Sequence, residues 1–135
     1  MTKPLRLPDA GALIDVCEAT WPPASRQHLA AWTIRDGQGG GNRVSAATED
    51  WPVTDADLSI AEQAMLALGQ EQLFQIRAGD EKFDALLEEH GYVVRDPVNI
   101  WAIDVAKLTD EPIPPATAYT MWPPLELARG IWHQG

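Results

Sequence analysis

The chain has 135 residues, 45% of them apolar, with twenty acidic residues against ten basic ones and a formal net charge of −10. That length favours one domain with a single sizeable core. The charge argues against nucleic acid as a partner, because an acidic surface repels a phosphate backbone; it would attract cationic amines, although acidity often serves solubility alone.

In chain order, Asp9 stands where it would cap a first helix, with Leu13, Ile14, Cys17 and Trp21 on one face. Pro22-Pro23 ends that helix, since a proline disfavours helical geometry in the residue before it. A polar connection through Ser25, Arg26 and His28 leads to an expected strand over 30–35. Asp36-Gly37 and the run Gly39-Gly40-Gly41 read as a hairpin turn into a second strand over 42–47. Thr54-Asp55-Ala56-Asp57 has the form of a capping box, with aspartate in place of glutamate, and Leu58, Ala61, Met65 and Leu68 form the apolar stripe of the helix that follows. Gly69 stops it. A short strand is expected over 73–77. Asp80 is placed to cap a helix with Phe83, Leu86 and Leu87 inside and Gly91 at its end. Strands are expected over 92–95 and, after the Asp96-Pro97 break, over 98–105.

Residues 108–116 are acidic and proline-rich and read as a linker between a main body, 1–107, and a final segment, 117–135. In that segment Thr117–Met121 is expected as a strand, and Pro123 suits the first turn of a last helix carrying Leu125, Leu127, Ala128, Ile131 and Trp132. A chain closing on an apolar helix implies either that this helix docks back or that the chain is cut from a longer protein. The order of elements gives an α+β class: a mixed, mostly antiparallel twisted sheet flanked by helices.

Trp21-Pro22-Pro23, then Trp32-Thr33-Ile34-Arg35 and Asn42-Arg43-Val44-Ser45, then Leu73–Arg77, and finally the helix Asp84 to His90 closed by Gly91-Tyr92, follow one another in a recognisable order and spacing. In this the chain resembles the GNAT acyl-CoA N-acyltransferases, and more narrowly the N-terminal lobe of bacterial acetyltransferases that carry two such lobes in tandem. The resemblance implies a GNAT-like sheet that splays to admit acyl-CoA, and an N-acetyltransferase reaction in which an amine attacks the thioester directly. It implies acetyl-CoA as the cofactor of the intact protein, and residues 117–135 as the opening strand and helix of a second lobe.

The chain departs from that family's pattern in two places. Catalytic members carry closely spaced glycines between a central strand and its helix, so that backbone N–H groups and the helix N-terminus can hold a pyrophosphate. Here the stretch is Glu49-Asp50-Trp51-Pro52-Val53-Thr54, without glycine and with Pro52 lacking an N–H. The Gly39–Gly41 run does not replace it, because a strand is expected after it. Many catalytic members also place a tyrosine four residues before the helix-closing glycine; here Leu87 stands there, and Tyr92 occupies the position of a packing aromatic. The expectation is therefore a non-catalytic lobe with no catalytic and no cofactor-binding residue, whose partner is a second GNAT lobe or a second copy of the chain. The alternatives are a self-associating module acting through its terminal helix, and a complete small acyltransferase with a degenerate loop.

Other chemistry has little support in the sequence. Cys17 is the only cysteine, which rules out an internal disulfide and suits a cytoplasmic location. No apolar run approaches membrane-spanning length, so no membrane partner is expected. His28, His90 and His133 are scattered, and no metal site is expected. Ser45 lacks the setting of a nucleophile elbow. Arg35, Asn42 and Arg43, around the glycine-rich turn, are candidates for contact with a carboxylate substrate or a neighbouring lobe; cross-strand pairing with acids is the plainer role of the arginines. Trp122 and Trp132 are candidates for a docking surface.

Overall fold

The computed structural model describes residues 6–108 and 112–134. The chain divides into two units, Met1–Ala102 and Ile103–Gly135. Among the described residues it is a mixed α+β structure with five α-helices and a small three-stranded antiparallel sheet. No described helix is long and apolar enough to cross a membrane.

The first helix, α1 (Ala10–Thr20), starts where Asp9 Oδ1 accepts from the Ala12 N–H at 2.9 Å. Its expected inner face is only half covered, and none of its residues is buried. The sheet begins earlier than expected. Strand β1 (Ser25–Leu29) is the stretch read as a polar connection, and it pairs with β2 (Trp32–Asp36) from Ser25↔Asp36 to Leu29↔Trp32. Its polarity suits a solvent-facing edge strand. The turn between them is Ala30-Ala31, with Ala30 at φ 51°, a left-handed position that carries no glycine or asparagine to announce it.

The glycine-rich stretch is correspondingly not a hairpin turn. It leads into a one-turn helix, α2 (Asn42–Ser45), where a strand over 42–47 is expected. The turn closes because the Ala46 N–H reaches Asn42 O at 3.0 Å and the Ser45 hydroxyl reaches Gly41 O at 2.8 Å. A side chain at Gly37 would crowd it, since a Cβ there would stand 2.1 Å from Ser45 Oγ and 3.0 Å from Val44 O. The third strand, β3 (Thr48–Glu49), pairs with β2 through Trp32↔Glu49 and Thr33↔Thr48.

Helix α3 (Asp55–Ala67) leaves β3 and brings the chain back to a single parallel bridge, Ala47↔Phe74, with Ala47 N–H on Leu73 O and Gln75 N–H on Ala47 O, both 2.9 Å. That bridge is all that forms of the strand expected over 73–77. Gly69 (φ 71°) ends α3 and Gly91 (φ 82°) follows α4 (Glu81–Glu89), as expected. The strands expected over 92–95, 98–105 and 117–121 do not form. Their valines, isoleucines and aromatics suit a sheet, but a strand needs a paired neighbour and these have none.

Strand β2 is buried on both faces. Trp32 and Ile34 face a core of Ala47, Leu58, Ala61, Met65, Phe83 and Leu87. Phe74 fills the flank, its ring centroid 5.4 Å from Trp32 and 5.6 Å from Phe83. Trp32 is wholly buried, and its indole N–H donates to Asp57 O at 2.9 Å, so the sheet is bonded directly to the first turn of α3.

The second unit holds a short 3-10 turn (Val105–Lys107) and helix α5 (Glu126–His133). Pro123 lies ahead of α5, not in its first turn. Residues 109–111 of the expected linker lie outside the described residues.

Candidate functional site

The sequence directs attention to the turn from β3 into α3, and the fold places residues 50–54 there, at the carboxyl end of β3 beside a parallel crossover. Helix N-termini offer free N–H groups to anions. Here the chain's own acids take that role. The Thr54 N–H donates to Asp57 Oδ2 at 2.9 Å, and the Thr54 hydroxyl donates to the same oxygen at 2.8 Å. These two bonds hold the Asp57 carboxyl below its usual value. Asp55 adds a second carboxylate to the first turn and meets His90 Nε2 at 2.8 Å.

On the other side of the turn lies a cavity of about 340 Å³, lined by Glu49, Pro52, Val53, Gly79, Asp80 and Phe83, with Glu81 and Lys82 also on its wall. Burial, and then the nearby Asp80 carboxylate, raise the Glu49 carboxyl above its usual value, while the Val53 N–H and Arg77 pull the other way. Asp80 is not the side-chain cap of α4 that its position suggests. Its Oδ2 accepts from Arg77 N at 2.9 Å and Arg77 Nε at 3.0 Å, and Arg77 Nη2 donates to Glu49 O at 2.7 Å. Arg77 thereby clamps the end of β3 to the start of α4. A second charge brought within about 4 Å of one of these carboxylates meets on the order of 1 to 4 kcal/mol of Coulomb energy across water-like to surface-like dielectrics, repulsive for an anion.

Asp50 is occupied as well. Its Oδ1 accepts from the Thr33 hydroxyl at 2.6 Å, and its Oδ2 lies 3.1 Å from His28 Nδ1. A hydroxyl, an imidazole and a carboxylate stand together, but not as a nucleophile and its base. The Thr33 proton goes to the carboxylate, and both oxygen partners address the same ring nitrogen, with Thr33 Oγ1 also 3.1 Å from Nδ1. The cluster locks β1, β2 and the 50–54 turn together.

Arg35 lies inside the unit, 7% exposed, on the face of β2 opposite the apolar core. Its Nε meets Glu18 Oε1 of α1 at 3.0 Å, and its Nη1 donates to Ala46 O and Thr48 Oγ1, both at 3.0 Å. Nε and Nη1 are spent on the fold, and α1 is held to the sheet by a charge pair. Glu18 also meets Arg26 at 2.9 Å. Gln70 completes this side, accepting from Gly37 N–H and donating to Arg35 O, both at 2.7 Å.

Asn42 and Arg43 are brought together with Trp21 and Gly40 around a shallow depression of about 270 Å³. The Asn42 amide donates to Asp96, and the Arg43 guanidinium carbon sits 5.8 Å from the centre of the Trp21 ring. Trp122 and Trp132 are exposed in the second unit. Leu87 is buried in the core. Tyr92 packs edge-on against Phe74 at 5.3 Å and donates its hydroxyl to Glu62 Oε1 at 2.6 Å. Burial and that bonded carboxylate push its phenol well above the ordinary range, which suits a fixed donor and not a proton source for a leaving group.

Glu18, His28, Asp50, Arg77 and Gln70 carry most of the polar geometry, and sequence reasoning did not single them out for it. Only the Arg77–Asp80 pair, three residues apart, leaves a local signal. Among the described residues, no group of three His, Cys, Asp or Glu side chains could hold a metal ion. No family model, curated protein or solved structure matches the chain.

Proposed function

We propose that Met1–Ala102 is a non-catalytic lobe of a GNAT-type N-acetyltransferase, which braces a partner lobe and shapes an amine-binding cleft while acetyl-CoA is held elsewhere in the intact protein. Two features support the acyltransferase frame: an antiparallel hairpin feeding a strand, and a helix crossover from that strand to a parallel neighbour at Phe74. The reading that this lobe leaves the cofactor to its partner rests on one observation. The first N–H of the α3 entrance is bonded to the Asp57 carboxylate, where a phosphate oxygen would otherwise sit. Glu49, Asp80 and Glu81 around the adjoining cavity add to it. A pyrophosphate would have to displace Asp57 and approach those acids, with Lys82 as the cation on the cavity wall.

Titration calorimetry of the full chain with acetyl-CoA is the test. No saturable heat is expected. Saturable micromolar binding by the native chain would remove the reading.

A further inference from the structure

The sheet stops at an unfinished edge. Residues 73–75 meet Ala47, just ahead of β3, through the Leu73 carbonyl and the Gln75 N–H. Backbone groups of successive residues in an extended chain point to opposite sides, so those of Phe74 and Ile76 face away from Ala47. Among the described residues, neither has a backbone hydrogen-bond partner. The stretch Gln72–Ile76 carries no charge and lies between Glu71 and Arg77.

The same unit carries a segment with the matching need. Residues 93–102 belong to no helix or strand, and among the described residues none of their backbone groups is hydrogen-bonded to backbone. Val93, Val94 and Val98 project into solvent, and Trp101 is 88% exposed. Pro97–Ala102 is uncharged in a chain of net charge −10, so it can lie against a neutral edge without the repulsion that separates the rest of two such surfaces. Its root is tied to its own unit: Tyr92 to Glu62, Arg95 Nη1 to Glu71 at 2.8 Å, and Asp96 to Asn42.

We infer that Val98–Ala102 of one copy adds as a strand to the Gln72–Ile76 edge of a second copy, and the reverse, forming a twofold dimer. A second copy is the occupant because one chain carries both halves of the pairing. A twofold axis makes the contact twice and satisfies the edge and the segment of both copies at once. Neutral edge meets neutral strand in an otherwise strongly acidic molecule. The inference stands apart from the cofactor question: the lobe can dimerise whether or not it binds acetyl-CoA.

Light scattering on the full chain over a concentration series should move from the mass of one copy to that of two. Amide hydrogen exchange at Phe74, Ile76 and Val98–Ala102 should slow as the concentration rises. Ile100→Pro and Trp101→Pro remove an N–H at each of the two alternating positions, so one of them removes a ladder bond whichever side faces the edge. That variant should remain the mass of one copy with an unchanged circular dichroism spectrum. If either proline unfolds the chain, the exchange data on the native chain decide. A native mass of one copy throughout, a dimer untouched by both prolines, or concentration-independent protection at Val98–Ala102 would each overturn the inference, the last by showing that the segment pairs within its own chain.

Discussion

Strand β2 and the segment 93–102 are written in the same residues and end in opposite states. One reads Trp-Thr-Ile-Arg; the other contains Val-Val-Arg, then Val-Asn-Ile-Trp. Each stretch of aromatic and β-branched residues is locally suited to a sheet. β2 has a paired neighbour on both sides, an apolar core on one face and a polar lock on the other, and four of its five residues are buried. The segment 93–102 has no paired strand among the described residues and keeps most of its apolar side chains in water. The difference lies in pairing, not in propensity: α3 and α4 cover β2, and nothing in its own unit completes the other segment.

The contrast can be broken at its strongest point by comparing two tryptophans. Trp32→Ala should cost about 3–5 kcal/mol in chemical denaturation, since it empties the centre of the core and removes the bond to Asp57 O. Trp101→Ala should stay within about 0.5 kcal/mol of the native chain at low concentration, because a surface side chain has little to lose. Equal losses would mean that the 93–102 segment is part of the folded core.

The two arginines give the next largest difference. Arg35→Met leaves Ala46 O and Thr48 Oγ1 without this donor and Glu18 with Arg26 alone, and should cost about 2–4 kcal/mol. Arg43→Ala, which loses an exposed contact with Trp21, should fall within about 0.5 kcal/mol.

Tyr92 stands at the boundary between the two regions. Tyr92→Phe should cost about 1 kcal/mol by removing the hydroxyl bond to Glu62. Because the folded phenol titrates above its unfolded value of 10.0, its contribution is complete below that pH and is lost as the pH rises through the folded value. The native chain should therefore lose stability on the alkaline side more steeply than the phenylalanine variant does.

The smallest effect belongs to Glu49, whose folded carboxyl titrates above the usual 4.5. Its charge opposes folding at neutral pH, while below about pH 4.5 the group is protonated in both states. Glu49→Gln should raise the melting temperature slightly at pH 7, with the gain vanishing as the pH falls through that range. A loss at pH 7 would show that Arg77 outweighs burial at this carboxyl.

What could be read from the chain follows the same division. Helices α1, α3 and α4 were legible because their signals are local: Asp9 at one start, Thr54 and Asp57 at another, Gly69 and Gly91 at two ends. The core stripe Leu58, Ala61 and Met65 followed from helical spacing alone. The hairpin was misplaced because its turn is made by Ala30 in a left-handed conformation, while the glycines that suggested a turn serve a one-turn helix instead. Strands over 92–95 and 98–105 were expected because a local pattern says nothing about whether a partner strand exists. Arg35 was read at the surface because the acid it meets, Glu18, lies seventeen positions away on another element. The acidic turn at 49–54 was legible, since its lack of glycine and its carboxylates are written in consecutive residues. That Asp57 closes it onto Thr54 follows from the capping pattern, whereas the Arg77 clamp on Glu49 O does not.

The account turns on the entrance to α3, and an amide-resolved NMR titration of the full chain with acetyl-CoA addresses it at the atoms concerned. The Trp51, Val53, Thr54 and Asp55 amide signals are expected to stay in place through a large excess of the nucleotide, because Asp57 already holds the Thr54 N–H. Saturable shifts concentrated on those four amides would show a diphosphate seated there and contradict the account.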